Sequence, residues 1–186
     1  MAIKRINHQD LMSKIIIIYS TTDGHTKEIC SRLLKIIEKE GNEVLLIPVE
    51  DENKIDLNTF DKIVIGASIR YGKHSPKIYD FINNNLQILD QKSNAFFSVN
   101  VVARKPDKNR PETNPYLKKF LSQISWKPKQ LTVFAGKINY QKYTIFDRYM
   151  IRMIMWITKG PTHPKSNIEF TDWNQVNKFG QLICDM

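Results

Sequence analysis

The stretch Ile15-Ile-Ile-Ile-Tyr-Ser-Thr-Thr-Asp-Gly-His-Thr26 decides the fold of this 186-residue chain. Four consecutive β-branched residues suit a strand covered on both faces, as central parallel strands are, and the run is too short to span a membrane. Small hydroxylated residues and one glycine follow at once. Residues 27–40 then have helix-forming composition, with apolar positions Ile29, Leu33, Ile36 and Ile37. Hydroxyls and backbone N–H groups at the positive end of a helix make such a strand–loop–helix an anion site, and a phosphate would be favoured there.

The same unit recurs outward along the chain. Gly41-Asn42 stops the first helix, and residues 44–48 read as a second strand. Ile63-Val-Ile-Gly-Ala67 reads as a third strand, and Pro76 opens a helix carrying Ile78, Phe81 and Ile82. Ala95-Phe-Phe-Ser-Val99 is a fourth strand, Pro115 starts a helix with Leu117, Phe120, Leu121 and Ile124, and residues 131–135 are a fifth strand. Alternation of this length specifies an open parallel sheet with right-handed crossovers and helices on both faces. Ligands in such folds bind beyond the carboxyl ends of the strands, where the strand order reverses. The loops at 20–26, 68–72 and 98–104 are therefore expected to converge, and the long polar stretch after the fourth strand is of the kind that is more often functional than idle.

The pattern breaks after the fifth strand, where residues 137–168 are inserted before Thr171-Asp-Trp173 caps a last helix through Val176, Phe179 and Ile183. Residues 144–159 read as an amphipathic helix. At about 100° per residue Arg148, Arg152 and Lys159 share one stripe, with Met150, Met153, Ile154 and Ile157 on the other side. A basic stripe opposite a Met/Ile/Trp face suits a helix lying at a membrane interface, whereas packing of the apolar side on the sheet edge is the plainer reading; periodicity leaves both open.

Charge follows the same division. The formal net charge is +9, yet residues 101–165 hold 14 Lys/Arg against Asp107, Glu112 and Asp147, a surplus of 14 − 3 = +11. The remainder carries 14 − 16 = −2. A local positive field implies an acidic partner such as nucleic acid, anionic lipid or a carboxylate substrate, unless it is merely a solvated basic surface. Cys30 and Cys184 lie far apart with no Cys/His cluster, so no disulfide framework and no metal site is expected, and a reduced, cytoplasmic setting fits. Residues 1–13 are polar, lack the apolar segment of a signal peptide, and read as a disordered extension ahead of one domain over 14–186.

The first loop has neither G-x-x-x-x-G-K-[ST] nor G-x-G-x-x-G and holds no lysine, which disfavours a P-loop triphosphatase and a dinucleotide fold. Hydroxyls and N–H groups without a cation suit a phosphate monoester that needs no metal, such as flavin mononucleotide (FMN). Residues 17–26 resemble the flavodoxin phosphate-loop signature. Ile65-Gly-Ala-Ser-Ile-Arg-Tyr-Gly72, Ser98-Val-Asn-Val-Val-Ala-Arg-Lys-Pro106, Arg110-Pro-Glu-Thr-Asn114, Tyr143 with Phe146-Asp-Arg-Tyr-Met-Ile151, and Thr171-Asp-Trp173 extend the likeness. Together they resemble the menaquinone-dependent protoporphyrinogen IX dehydrogenases, flavodoxin-like, FMN-dependent enzymes of haem biosynthesis, over about residues 12–183.

The resemblance implies a doubly wound five-stranded sheet of order 2-1-3-4-5 with a basic helical insert after strand five. It implies that Ser20, Thr21, Thr22, Asp23, Gly24, His25 and Thr26 hold the FMN phosphate. Ser68, Ile69, Arg70, Tyr71 and Gly72, with Ser98, Val99, Asn100, Val101, Val102, Ala103 and Arg104, would border the isoalloxazine, and Tyr71 is a candidate to stack on it. No side chain is assigned as catalytic, since the flavin carries the redox step. Arg70, Arg104 and Lys105 are the expected anchors for the propionates of protoporphyrinogen IX, unless they are solvated surface charges. Menaquinone as acceptor gives the insert a reason to meet an anionic membrane surface on the cytoplasmic side, through Arg148, Arg152, Trp156 and Lys159. A respiratory reductase is a further partner to consider, and no nucleic acid is expected. Two other readings stand beside this one: a flavodoxin-type electron carrier, and a basic nucleic-acid-binding module, for which no motif is visible.

Overall fold

The computed structural model describes residues 12–186, so the extension expected over 1–13 lies outside the described residues except for Met12 and Ser13. Ser13 is already tied to the fold: its N–H donates to Asn42 Oδ1 at 3.1 Å, and its carbonyl accepts from Glu43 N–H at 3.0 Å. The chain then enters β1 (Lys14–Ser20), which lies second in a parallel sheet with β2 (Glu43–Pro48), β3 (Lys62–Ser68), β4 (Ser93–Asn100) and β5 (Gln130–Ala135). The order is β2-β1-β3-β4-β5, as the resemblance implies.

The four isoleucines show why β1 is central. Successive side chains alternate across a strand: Ile16 and Ile18 join the core on one face, Ile15 and Ile17 the core on the other, and all four are fully buried. Burial of each is worth about 1.5–3 kcal/mol. The Ile15/Ile17 face is covered by α1 (His25–Lys39) and α6 (Trp173–Asp185), through Ile29, Leu33, Ile37, Val176, Phe179 and Ile183. The opposite face is covered by α2 (Pro76–Asn84), α3 (Leu86–Gln91) and α4 (Pro115–Leu121), through Ile78, Phe81, Leu89, Leu117 and Phe120. In β3 the Phe97 ring lies directly over Gly66, where an added Cβ would meet Phe97 Cζ at 2.2 Å.

The insert is more structured than its sequence suggests. β6 (Lys137–Asn139) and β7 (Asn167–Glu169) pair antiparallel with Ile138 opposite Ile168, closing its base. Three-residue strands carry no usable periodicity, which is why they escape a pattern reading. Between them α5 (Ile145–Ile157) forms where an amphipathic helix is expected, and Ile138, Tyr140, Tyr143 and Met155 make a small core of their own. Its facing corrects the single-apolar-side expectation. Met150 and Ile154 turn inward with Ile151 and Met155, whereas Met153 and Ile157 are exposed with Ile145, Phe146, Tyr149 and Trp156. The helix is apolar on two sides because it crosses the carboxyl end of the sheet as a wall with an inner and an outer surface.

Candidate functional site

The sheet's carboxyl edge and α5 enclose a cavity of about 350 Å³. Its floor comes from the loops after β1, β3 and β4, joined by Gly136 and Lys137 after β5, and its roof is Met150, Ile151, Ile154 and Met155 of α5. The strand order turns between β1 and β3, so the cavity lies at the crevice where this architecture binds ligands.

One end of the cavity is built by the start of α1. Gly24 precedes the helix at φ 87°, a left-handed conformation that a side chain would strain. The first helical bond recorded there runs from Glu28 N–H to the Gly24 carbonyl. The N–H groups of the first turn thus have no intrahelical partner, and no side chain caps them. Thr26 is fully buried beside them, and its hydroxyl has no hydrogen-bond partner. An orphaned buried hydroxyl beside free helix N–H groups fits the phosphate of the implied FMN: the residues present supply donors and little bulk. His25 sits just before it, buried, with Nδ1 3.0 Å from Glu28 Oε2 and Nε2 2.6 Å from Thr171 Oγ1. Thr171 in turn donates to the Ala135 carbonyl at 2.8 Å, so α1 is tied to the segment that returns from the insert.

The second loop turns back sharply. Arg70 and Lys73 exchange backbone hydrogen bonds of 2.9 and 3.1 Å, and both central residues, Tyr71 (φ 51°) and Gly72 (φ 76°), have positive φ. A tyrosine in that region costs roughly 1–2 kcal/mol, and such strain concentrates at working sites. The turn presents Arg70 between three elements. Nη1 donates to Asp23 Oδ2 at 3.0 Å and Nη2 to Asp147 Oδ2 at 2.5 Å, while the guanidinium lies 5.5 Å from the Tyr71 ring and 5.4 Å from that of Tyr143. The Tyr71 hydroxyl donates to the other Asp147 oxygen. The Tyr71 ring is 59% exposed at the rim.

These groups shift one another. Burial raises the Asp23 pKa, with Arg70 opposing. The Tyr71 hydroxyl bond, then those of Thr144 and Arg70, holds the Asp147 carboxyl below its ordinary range against partial burial. Burial works against the Arg70 charge, but Asp23 and Asp147 outweigh it and the pKa rises.

The third loop is organised from within. Asn100 Oδ1 accepts from Ala103 N–H at 3.1 Å and from Asn114 Nδ2 at 3.2 Å, and Asn100 Nδ2 reaches the buried Ser98 hydroxyl at 3.3 Å. Asn114 Oδ1 also accepts from Tyr116 and Leu117 N–H, capping α4.

Of the residues expected to hold or border a flavin, Thr21, Thr22, Asp23, His25, Thr26, Ser68, Ile69, Arg70, Tyr71, Gly72, Val99, Asn100, Val101 and Val102 line the cavity. Ser20, Ser98 and Ala103 lie buried behind it, and Gly24 faces an outer groove with Lys27 and Trp173. Arg104 is not among the residues that line the cavity. Its guanidinium donates to the Val101 carbonyl (3.1 Å) and to the Thr158 carbonyl and hydroxyl (3.1 and 2.8 Å), with the Phe170 ring 5.9 Å away. It clamps the carboxyl end of α5, where free carbonyls favour a cation. Lys105 lies beside it, off the cavity wall. Of the residues expected at a membrane, Trp156 and Lys159 are exposed, whereas Arg148 donates from Nε to the Tyr140 carbonyl at 3.1 Å and Arg152 is half-buried. Met150 and Ile154 are legible in the sequence as part of the apolar side of α5, but what they face is not, and Tyr116 carries no local signal; Asp147, which holds Arg70 and Tyr71, is marked only as an acid in the first turn of an apolar helix.

The comparisons with known proteins agree with this geometry. Residues 16–165 match the family model described as a flavodoxin domain. Two relatives named protoporphyrinogen IX dehydrogenase [quinone] align over most of the chain. That of Escherichia coli (strain K12) is 38% identical over 173 residues, 93% of this chain and 96% of the relative. That of Leishmania major is 41% identical over 167 residues, 89% and 72% respectively. A solved archaeal flavodoxin superposes with a TM-score of 0.52 at 16% identity, covering 92% of this chain and 96% of its own.

Proposed function

This chain belongs to the flavodoxin-domain family and, within it, to the protoporphyrinogen IX dehydrogenase [quinone] group, and from that premise we propose that it binds FMN and oxidises protoporphyrinogen IX to protoporphyrin IX. We propose further that the electrons pass to menaquinone, with the protein resting on the cytoplasmic face of a membrane. The observation that carries the reading is the orphaned Thr26 hydroxyl at the uncapped start of α1, opening into a cavity roofed by apolar side chains. FMN bound there would supply the electron-accepting ring. The chain's own residues bind and orient it. Thr21, Thr22 and Thr26 with the first-turn N–H groups hold the phosphate end. The third loop, braced by Asn100 and Asn114, borders the ring, and the Met/Ile roof excludes water. Arg70 is the guanidinium on the cavity wall and suits a propionate, since a guanidinium takes a carboxylate through two parallel bonds.

A membrane contact is supported by the outer side of α5. Ile145, Phe146, Tyr149, Met153, Trp156 and Ile157 stand exposed with Lys159 nearby, and an apolar stripe with basic residues beside it suits an anionic interface. Among the described residues no helix is long and apolar enough to cross a membrane.

The test is direct. The purified protein should show a flavin absorption spectrum and convert protoporphyrinogen IX anaerobically when menaquinone is added. Electron exchange with a reductase but no conversion would establish a carrier instead. The Thr26→Ala variant should bind FMN about tenfold or more weakly with riboflavin affinity unchanged, because only the phosphate uses that hydroxyl. Equal losses for both ligands would refute the cradle. Flotation with anionic vesicles should be lost when residues 144–159 are deleted.

A further inference from the structure

The guanidinium best placed to take a substrate carboxylate already holds two of the protein's own. Asp23 belongs to the phosphate loop, fixed between β1 and α1. Asp147 comes from the insert, reaches over the cavity mouth, and is buried with Arg70 as its ion-pair partner among the described residues. Both of its oxygens are engaged, one by Arg70 and one by the Tyr71 hydroxyl. Among the described residues these two bonds are the hydrogen bonds that join residues 145–153 to the first and second loops. The other end of α5 is held differently, by the Arg104 clamp on Thr158 and by the Gly160 N–H on the Met155 carbonyl.

We propose that Asp147 is an internal stand-in for a substrate carboxylate: a carboxylate-bearing substrate replaces it on Arg70, and that exchange unlatches the amino-terminal end of α5 from the cavity. The proposal rests on the substrate reading above and deepens it. Charge favours exchange over addition. Two carboxylates already face one guanidinium, and a third added without displacement would be repelled, whereas a swap never leaves the half-buried Arg70 unpaired. Space favours it as well. A cavity of about 350 Å³ is at the small end of ligand sites, suited to one ligand and not to a flavin and a tetrapyrrole together. The roof must therefore move for the ring of the substrate to approach, and methionine is the side chain most able to repack as it does. Asp147 is the member free to leave, because moving Asp23 would disturb the phosphate cradle. Tyr71 is poised to follow the change, since its strained backbone holds the hydroxyl on Asp147 and its ring on Arg70.

The experiment is hydrogen exchange read by mass spectrometry on the FMN-loaded protein, with protoporphyrin IX as the probe and its dimethyl ester as the carboxylate-free control. Binding of each is followed by absorbance. Protoporphyrin IX should accelerate exchange across residues 145–153 severalfold and leave residues 158–169 unchanged, and the ester should do neither. Asp147→Asn should show the fast exchange with no porphyrin present and bind protoporphyrin IX severalfold more tightly, because no internal competitor remains. Tyr71→Phe keeps the ion pair and removes one bond to Asp147, so its exchange over 145–153 should fall between the two; it decides the matter should Asp147→Asn loosen the whole insert. Protoporphyrin IX bound with unchanged exchange over 145–153, an ester that opens the helix equally, or a Tyr71→Phe variant identical to wild type would each overturn the exchange while leaving the substrate reading intact. Absorbance titrations that show no porphyrin bound to any variant would overturn both.

Discussion

α5 and α6 are both thirteen residues long and both begin on a side-chain cap, Thr144 accepting from Asp147 N–H and Asp172 from Asn174 and Gln175 N–H. Each also ends on a cation supplied from elsewhere. Arg104 holds Thr158 after α5, and the buried Lys62 of β3 donates to the Ile183 and Cys184 carbonyls of α6 at 3.1 and 2.6 Å. Their middles differ. α6 buries Val176, Phe179, Gly180 and Ile183 against α1 and the sheet, whereas α5 buries Asp147 and Met155 and leaves six large apolar side chains outside. Caps and clamps fix the ends of a helix. Covered surface decides whether it belongs to the scaffold or serves as a movable wall.

The comparison breaks most easily in the scaffold. Phe179→Ala removes a ring that meets Phe97 and Phe134 at 6.1 and 5.7 Å between centroids. It should lower global stability by about 3–5 kcal/mol in denaturant unfolding. A loss under 1 kcal/mol would mean that α6 is no more integral than α5.

Acid should act next, first through a residue of the body. His74 is buried between Phe96 and Phe120 with Nδ1 on the Ser68 carbonyl, and burial pulls its pKa down to about 4. The unfolded chain takes up that proton near pH 6.5, so acid favours unfolding. The His74 contribution to stability should be unaffected above about pH 6.5, fall by up to about 3 kcal/mol between there and pH 4, and level off below. His74→Gln should flatten that part of the profile, leaving the carboxylates to act at lower pH.

Lys62→Met then sharpens the contrast between the two clamps. It should cost about 1–3 kcal/mol of global stability by leaving two carbonyls of α6 unpaired. Arg104→Met should instead raise hydrogen exchange locally over residues 154–160 with little change in the global midpoint. The smallest effect is expected outside. Trp156→Ala should change stability by no more than about 0.5 kcal/mol while weakening vesicle binding, since its ring is 76% exposed.

Much of the scaffold was readable in advance for a physical reason. A strand buried on both faces must be apolar without alternation, so Ile15 to Ile18 announced a central parallel strand, and the Ser/Thr/Gly run after it announced an anion loop. The site was readable only in part. Loop residues such as Thr26 and Arg70 could be named because the architecture fixes where loops after strands must meet. Arg104 could not be oriented from the sequence, because a cation on the same loop can point inward or back along the chain, and only the arrival of the α5 carboxyl end, with Thr158 in reach, selects between them.

What the sequence determined by itself is therefore the sheet, its helices and the small, hydroxyl-rich turn that leads into α1, since these follow from local hydrophobic period and helix-end chemistry. What only the tertiary structure decided is the roof. The two-sided facing of α5, the pairing of β6 with β7, and the meeting of Asp23, Arg70, Tyr71 and Asp147 join positions up to 124 residues apart (147 − 23). Contacts of that separation are set by how the insert folds back over the sheet, and no local pattern encodes them.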